Sequence, residues 1–109
     1  MTPSFFISHT YYWGDMHFNI FLGPERARNL DPTAWAVNRN MIFSLHNDSP
    51  VIPMLPNGVF HMIWCAVNRL TLTNRSLGEE HRLSVMQAIR AVTINSAWQG
   101  REEHRKGSI

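Results

Sequence analysis

The amino-acid sequence predicts a single α/β domain with a parallel sheet, and three observations carry that prediction. Two short apolar runs, SFFIS at residues 4–8 and MIFSL at residues 41–45, have the length and character of strands buried in a parallel sheet. Segments with helical spacing follow each of them, giving the alternation of strand and helix that a parallel sheet requires. The connections leaving both strands are too long for plain βα loops, and long loops in compact domains are usually functional.

In chain order, residues 4–8 form the first strand. HTYYWGDMHFNIFLG, residues 9–23, is aromatic and polar with two glycines and reads as a long ordered loop. Gly23-Pro24-Glu25 starts a helix, since proline suits the first helical position and an acid the first turn. Asp31-Pro32 repeats the signal, with Asp31 as cap ahead of Ala34, Trp35, Ala36 and Val37. Proline within one continuous helix costs ~3 kcal/mol, so two short helices or a kink are expected. Residues 41–45 form the second strand, and the two prolines of VIPMLPNG, residues 51–58, forbid its regular continuation. Residues 59–70 return to helical spacing, with Val59, Phe60, Ile63, Trp64, Val67 and Leu70 on one broad face. Residues 71–80 read as a loop. Ser84 and Gln87 stand at capping-box spacing, ahead of a helix with Val85, Ala88, Ile89, Val92 and Ser96 on one face. Only two strands are visible, and two parallel strands do not stand alone comfortably.

Composition narrows the function classes. A chain of 109 residues holds one domain at most. With 44% apolar and 17% charged residues it is not disordered. A net charge of +2 is too small for a nucleic-acid binder, despite a pI of about 9.2. The single cysteine, Cys65, excludes an internal disulfide and a cysteine-based zinc cage, and fits a reducing, cytoplasmic setting. No apolar run approaches the ~18 residues of a membrane span, and the start, MTPSFFISHTYYWG, has no signal-peptide pattern.

The chemistry gathers at the strand ends. Residues two apart in a strand share a face, so Ser44, His46 and Asp48 are expected to point the same way. At the carboxyl end of a parallel strand that face meets the usual ligand-binding rim. A histidine nitrogen and a carboxylate oxygen suit zinc or a similar ion. His9 holds the equivalent place after the first strand, so His9 and Asp48 make half of a metal site. By spacing alone, Asp48 also suits an Asx-type turn shaped by Ser49-Pro50, and His9 and His46 suit hydrogen-bonded structural roles. His17, His61, His81 and His104 read as surface or helix residues, Cys65 as core, and Tyr11-Tyr12-Trp13 as aromatic packing under the loop. Arg26, Arg28, Arg69 and Arg75 are too dispersed for a phosphate-binding patch.

Four segments, SFFISHTYYWGD, FSLHNDSPV, WCAVNRLTLTNRSLGEEHRLSVMQAIRAVTINSAW and RKGSI, together resemble metal-dependent amidohydrolases of the amidohydrolase-3 branch, in the same order and over most of the chain. The resemblance implies a distorted (β/α)8 TIM barrel with a small β-sandwich, of which this chain is the last part. Residues 1–109 would then be one incomplete domain, the C-terminal fragment of the barrel, improbable as a hydrolase on its own. HNDSP matches the end of the eighth strand. Asp48 matches the aspartate that binds the metal and takes a proton from the attacking water. His9 matches a histidine implied as a second metal ligand. His46, Asp15 and His17 are implied to line the pocket and contact substrate. The implied cofactor is a divalent metal, zinc in the first instance, and the implied chemistry is hydrolysis of C–N bonds in a small-molecule substrate. KGSI leads in the family into a segment returning to the sandwich, and the family's early HxH strand and middle strands are not in this sequence. Exposed faces over residues 59–70 and 85–97 are expected to favour a protein partner or self-association, the reading left if the chain stands free as a binding or oligomerisation module.

Overall fold

The structure is a computed structural model that describes residues 2–52 and 57–108. The expected parallel pairing is present: β1 (Ser4–Phe5) lies beside β2 (Ser44–Leu45), with Ser4 opposite Ser44 and Phe5 opposite Leu45. The strands are shorter than the apolar runs, and Met41 and Ile42 are exposed rather than buried. The small α/β unit has these two strands among the described residues.

Residues 9–23 are not the expected loop. They wind into α1 (His9–Tyr12), α2 (Gly14–Met16) and a single π-type turn, His17–Phe21. Their aromatic run conceals any helical stripe, because rings face the core, the site and solvent alike. Two short helices do follow, α3 (Pro24–Ala27), opened by its proline, and α4 (Thr33–Asn38). Asp31 is not the cap of α4. Its backbone is left-handed, with φ 46°, and Pro32 stands at the helix boundary.

Helix α5 (Gly58–Asn68) buries Met62, Cys65 and Ala66. Of the expected face, Ile63 and Val67 pack against the core, while the buried stripe is one of smaller residues that meets Ala88 and Ala91 of α6 (Val85–Val92). Phe60 is 73% exposed and Val59 50% exposed. Ile7, Phe43, Leu45 and Leu83 complete the same core, and Cys65 is buried in it as expected.

The capping box forms as read. Ser84 Oγ accepts from the Gln87 amide at 3.2 Å, and Gln87 Oε1 accepts from the Ser84 amide at 2.9 Å. The helix breaks at Thr93, whose backbone leaves helical geometry, and α7 (Ile94–Gln99) starts there. Thr93 Oγ1 donates to the Ile89 carbonyl at 2.7 Å, a back-bond that competes with the helix ladder. Asn95 then donates to the Phe43 carbonyl at 2.9 Å and Gln99 to the Pro3 carbonyl at 3.0 Å, sealing the amino ends of both strands. Gly107 of KGSI, at φ 97°, lies against α7, where an added Cβ would come within 2.7 Å of the Ala97 Cβ.

Residues 71–80 are tied down more firmly than a free loop. Leu70 and Ser76 form an antiparallel bridge, and Glu79–His81 form a short tight helix. The two prolines of VIPMLPNG, Pro53 and Pro56, lie outside the described residues. Among the described residues no helix is long and apolar enough to cross a membrane.

Candidate functional site at the carboxyl ends of the strands

Parallel pairing brings the two strand ends together. The His46 amide donates to the Phe5 carbonyl at 2.8 Å, and just beyond the strands Ser8 donates to the Asn47 side chain. The Phe6 ring stacks on His9 at 5.3 Å and on His46 at 5.4 Å between centroids. His9 and His46 therefore share one aromatic platform, as their positions after β1 and β2 led one to expect.

The alternation assumed for residues 44–48 does not persist. Ser44 turns to the opposite end of the sheet, donating to Gln99 Oε1 and standing 2.8 Å from Ser4 Oγ, whose hydroxyl can donate to it. Asp48 is exposed with φ 53°, and its amide, not its carboxylate, meets His46, donating to Nδ1 at 3.1 Å. The Val51 amide donates to the Asp48 carbonyl at 2.8 Å, closing a turn over the Ser49-Pro50 segment. The strand ends at Leu45, three residues before Asp48, and the left-handed backbone of Asp48 reverses the chain.

At the strand ends, titratable groups gather on the β1 side. Helix α1 and the π-type turn place His9 Nε2 and His17 Nε2 2.6 Å apart, with their rings near perpendicular. On the other side of the ring, His9 Nδ1 is 3.8 Å from Asp31 Oδ2. Burial, then the nearby His17, hold the His9 imidazole below its ordinary pKa. Burial pushes the Asp31 carboxyl up to about 6 against the pull of the Arg69 guanidinium and the Phe6 amide. Sequence reasoning missed Asp31 as a member of this cluster, because its place before a proline reads as a helix cap.

Arg69 is the second residue the sequence concealed. It is fully buried, and donates to the carbonyls of Leu77 at 3.0 Å, Asp31 at 3.1 Å and Leu30 at 2.5 Å. Three charge-assisted bonds offset the burial of its charge, though desolvation still lowers its pKa to about 10. Asp15 is also occupied. Its carboxylate accepts from Thr73 Oγ1 at 2.8 Å and the Thr73 amide at 3.2 Å, with Arg75 Nε at 3.4 Å. Burial opposes ionisation of Asp15, but these bonds outweigh it and hold its pKa below the usual value. His81, expected as a surface or helix residue, ends the short helix Glu79–His81 and is buried there, with Nε2 3.2 Å from Asn29 Oδ1. Tyr11 packs edge-on against Trp64 and His61, the packing role expected of the aromatic run.

A zinc-class ion asks for three or four nitrogen, sulfur or oxygen donors. The converging His9 and His17 nitrogens fit that demand in kind. Their 2.6 Å separation is shorter than the ~3.3 Å between two ligands with ~2.05 Å bonds in tetrahedral geometry, so His17 occupies the place of a ligand on His9. Among the described residues no group of three or more His, Cys, Asp or Glu side chains is arranged to hold a metal. The donor type fits, and the donor number in this chain is partial.

No curated protein and no solved structure matches the chain. The sequence profile of the amidohydrolase family matches residues 1–109, the whole chain. With that match added to the paired strands and the histidine-lined rim, the chain belongs to the amidohydrolase family of hydrolases.

Proposed function

We propose that residues 1–109 are the C-terminal part of a (β/α)8 amidohydrolase barrel, a single incomplete domain that hydrolyses C–N bonds of a small molecule only when the remaining strands are present. The observation that carries this reading is the family match over the whole chain, on a fold whose two parallel strands open their carboxyl ends onto His9 and His46. A divalent metal, zinc by donor type, would supply Lewis-acid polarisation of the scissile carbonyl and of water. His9 would hold it by Nε2, and Asp48 would join it as carboxylate ligand and collect the proton released in the attack. His46 and His17 would face the substrate, and Asp15 would shape the pocket wall through its hold on Thr73. Asp48 is suited to the role by its exposed position three residues beyond β2. The buried Cys65 thiol, pushed up to about 12 by burial, is inert and suits a cytoplasmic protein.

The intact mass of the gene product taken from its source tests the fragment reading. A mass several times 12.6 kDa is expected, and a mass of 12.6 kDa would overturn it. In the longer protein, Asp48→Asn should lower turnover ~10²–10⁴-fold without loss of folding; an active variant would remove Asp48 from the mechanism.

A second reading rests on a different observation. Val59, Phe60 and Trp64 of α5 are exposed together with Val85 and Met86 of α6. Such faces suit an oligomerisation or protein-binding module, with a second copy of this chain as the simplest partner.

A further inference from the structure

We propose that Asp31 is the positioning residue for His9: its carboxylate fixes the imidazole with the proton on Nδ1 and so leaves the Nε2 lone pair facing His17 and the rim. The inference rests on the reading of His9 as a ligand and names the group that orients it. The Asp31 side chain is 10% exposed and its Oδ2 has no hydrogen-bond partner among the described residues. A buried carboxylate oxygen left unpaired is costly; the Phe6 amide already serves the Asp31 carboxyl group, and His9 Nδ1 stands 3.8 Å from the unpaired Oδ2. That distance is an electrostatic contact, not a formed hydrogen bond, and a small turn of either side chain closes it.

The backbone shows how the carboxylate is held there. Asp31 takes a left-handed conformation, φ 46°, which a side chain other than glycine adopts at a cost. Arg69 stabilises that turn through the carbonyls of Leu30 and Asp31, and its three hydrogen bonds all go to backbone. The carboxylate is thereby left to face His9. Proton placement then follows along the chain of contacts. An ionised carboxylate only accepts, so His9 Nδ1 carries the hydrogen and Nε2 is bare. The 2.6 Å contact therefore has His17 Nε2 as donor, which leaves His17 Nδ1 as a bare acceptor. That atom is buried and without a partner among the described residues. A carboxylate on the far nitrogen of a ligating histidine is also the arrangement that sets tautomer and raises ligand basicity in metal sites.

The test is the tautomer of His9, read from long-range ¹H–¹⁵N correlations of the ¹⁵N-labelled chain at pH 8, with the resonances assigned by their loss in His9→Gln. In the unsubstituted chain Nδ1 should be protonated and Nε2 bare. Asp31→Gly removes the carboxylate while tolerating the left-handed backbone, and should move His9 towards the Nε2–H form. Asp31→Asn, close in shape but uncharged, should do so in part and guards against misfolding of the glycine variant. An Nε2–H tautomer in the unsubstituted chain, or an unchanged tautomer in both variants, overturns the proposal. Calorimetric titration with Zn²⁺ separates it from the reading of the previous section. Affinity should fall ~10–100-fold in Asp31→Gly. No zinc binding by the longer protein, with the tautomer change intact, would sink the ligand role of His9 and leave Asp31 as its positioning residue.

Discussion

The guanidinium of Arg69 donates to the carbonyl of Asp31 at 3.1 Å, from a residue with no exposed surface to one 38 positions away in sequence. Through that bond and its partners to Leu30 and Leu77, one side chain ties the end of α5 to the turn before α4 and to the segment before Glu79–His81. Arg69 also ends α5 itself, in a left-handed conformation with φ 54°.

Replacing Arg69 by Ala strands three buried carbonyls and should destabilise the chain by ~3–5 kcal/mol. Arg69→Lys should recover only a small part, because one ammonium cannot span the three directions of the guanidinium fork. Urea denaturation checks both. A lysine variant as stable as the parent would show that the fork geometry is unimportant.

Gly78 supports the same junction. Its φ is 69°, and an added Cβ would lie 2.1 Å from the Arg28 carbonyl oxygen and 2.9 Å from Arg69 Nη2. Gly78→Ala should therefore cost more than the ~1–2 kcal/mol of left-handed strain alone, as the carbonyl must also move. Thermal melting reads the loss; a melting temperature within a degree of the parent would contradict the close approach.

His81 gives the fold a pH dependence of known sign. Burial first, then the Arg69 charge, hold its pKa below the ordinary 6.5. Above pH ~6.5 it is neutral in both states, and its contribution is complete. As pH falls through 6.5 towards the folded value, the unfolded chain takes up a proton that the folded chain refuses, and stability drops. His81→Gln should flatten that fall between pH 7.5 and 5.5, measured as the change in urea midpoint. Parallel curves for the two proteins would place the pH dependence elsewhere.

The exposed apolar face of α5 makes a prediction about association. Phe60, Val59 and Trp64 are 73%, 50% and 38% exposed. If this face joins two copies, the sedimentation coefficient should fall on hundredfold dilution, and Phe60→Glu should give the smaller species at every concentration. A coefficient unchanged by dilution removes self-association through this surface.

How far the sequence could be read depends on which residues carried local signals. The capping box of Ser84 and Gln87 and the proline-led start of α3 are local rules, and both hold. Parallel pairing of the two apolar runs followed from their separation by helices, and it also holds. What escaped was set by distant partners. Nothing near Asp31 shows that a guanidinium from residue 69 holds its carbonyl, and nothing near Thr33 shows that its hydroxyl meets the His81 carbonyl. The stripe of small residues on α5 was concealed for a related reason: Cys65 and Ala66 bury little area, yet their size lets α6 approach. At the site, the position of His9 and His46 after two strands was legible from spacing. The contact between His9 and His17 was not, because it depends on residues 9–21 being helical.

The union of β1 with β2 has a kinetic consequence. Ser4 and Ser44 are 40 residues apart, and Pro3 and Gln99 are 96 apart, so the sheet closes only after long stretches of chain have been brought to meet. Closing a 40-residue loop costs ~3 kcal/mol of chain entropy before any strand contact repays it. Helices α5 and α6 need no such search and can form within microseconds. Contact order therefore makes the encounter of the strands the step expected to set the folding rate. If the bond of Gln99 to Pro3 forms after that step, Gln99→Ala should accelerate unfolding and leave the refolding rate unchanged; slower refolding would place it in the transition state.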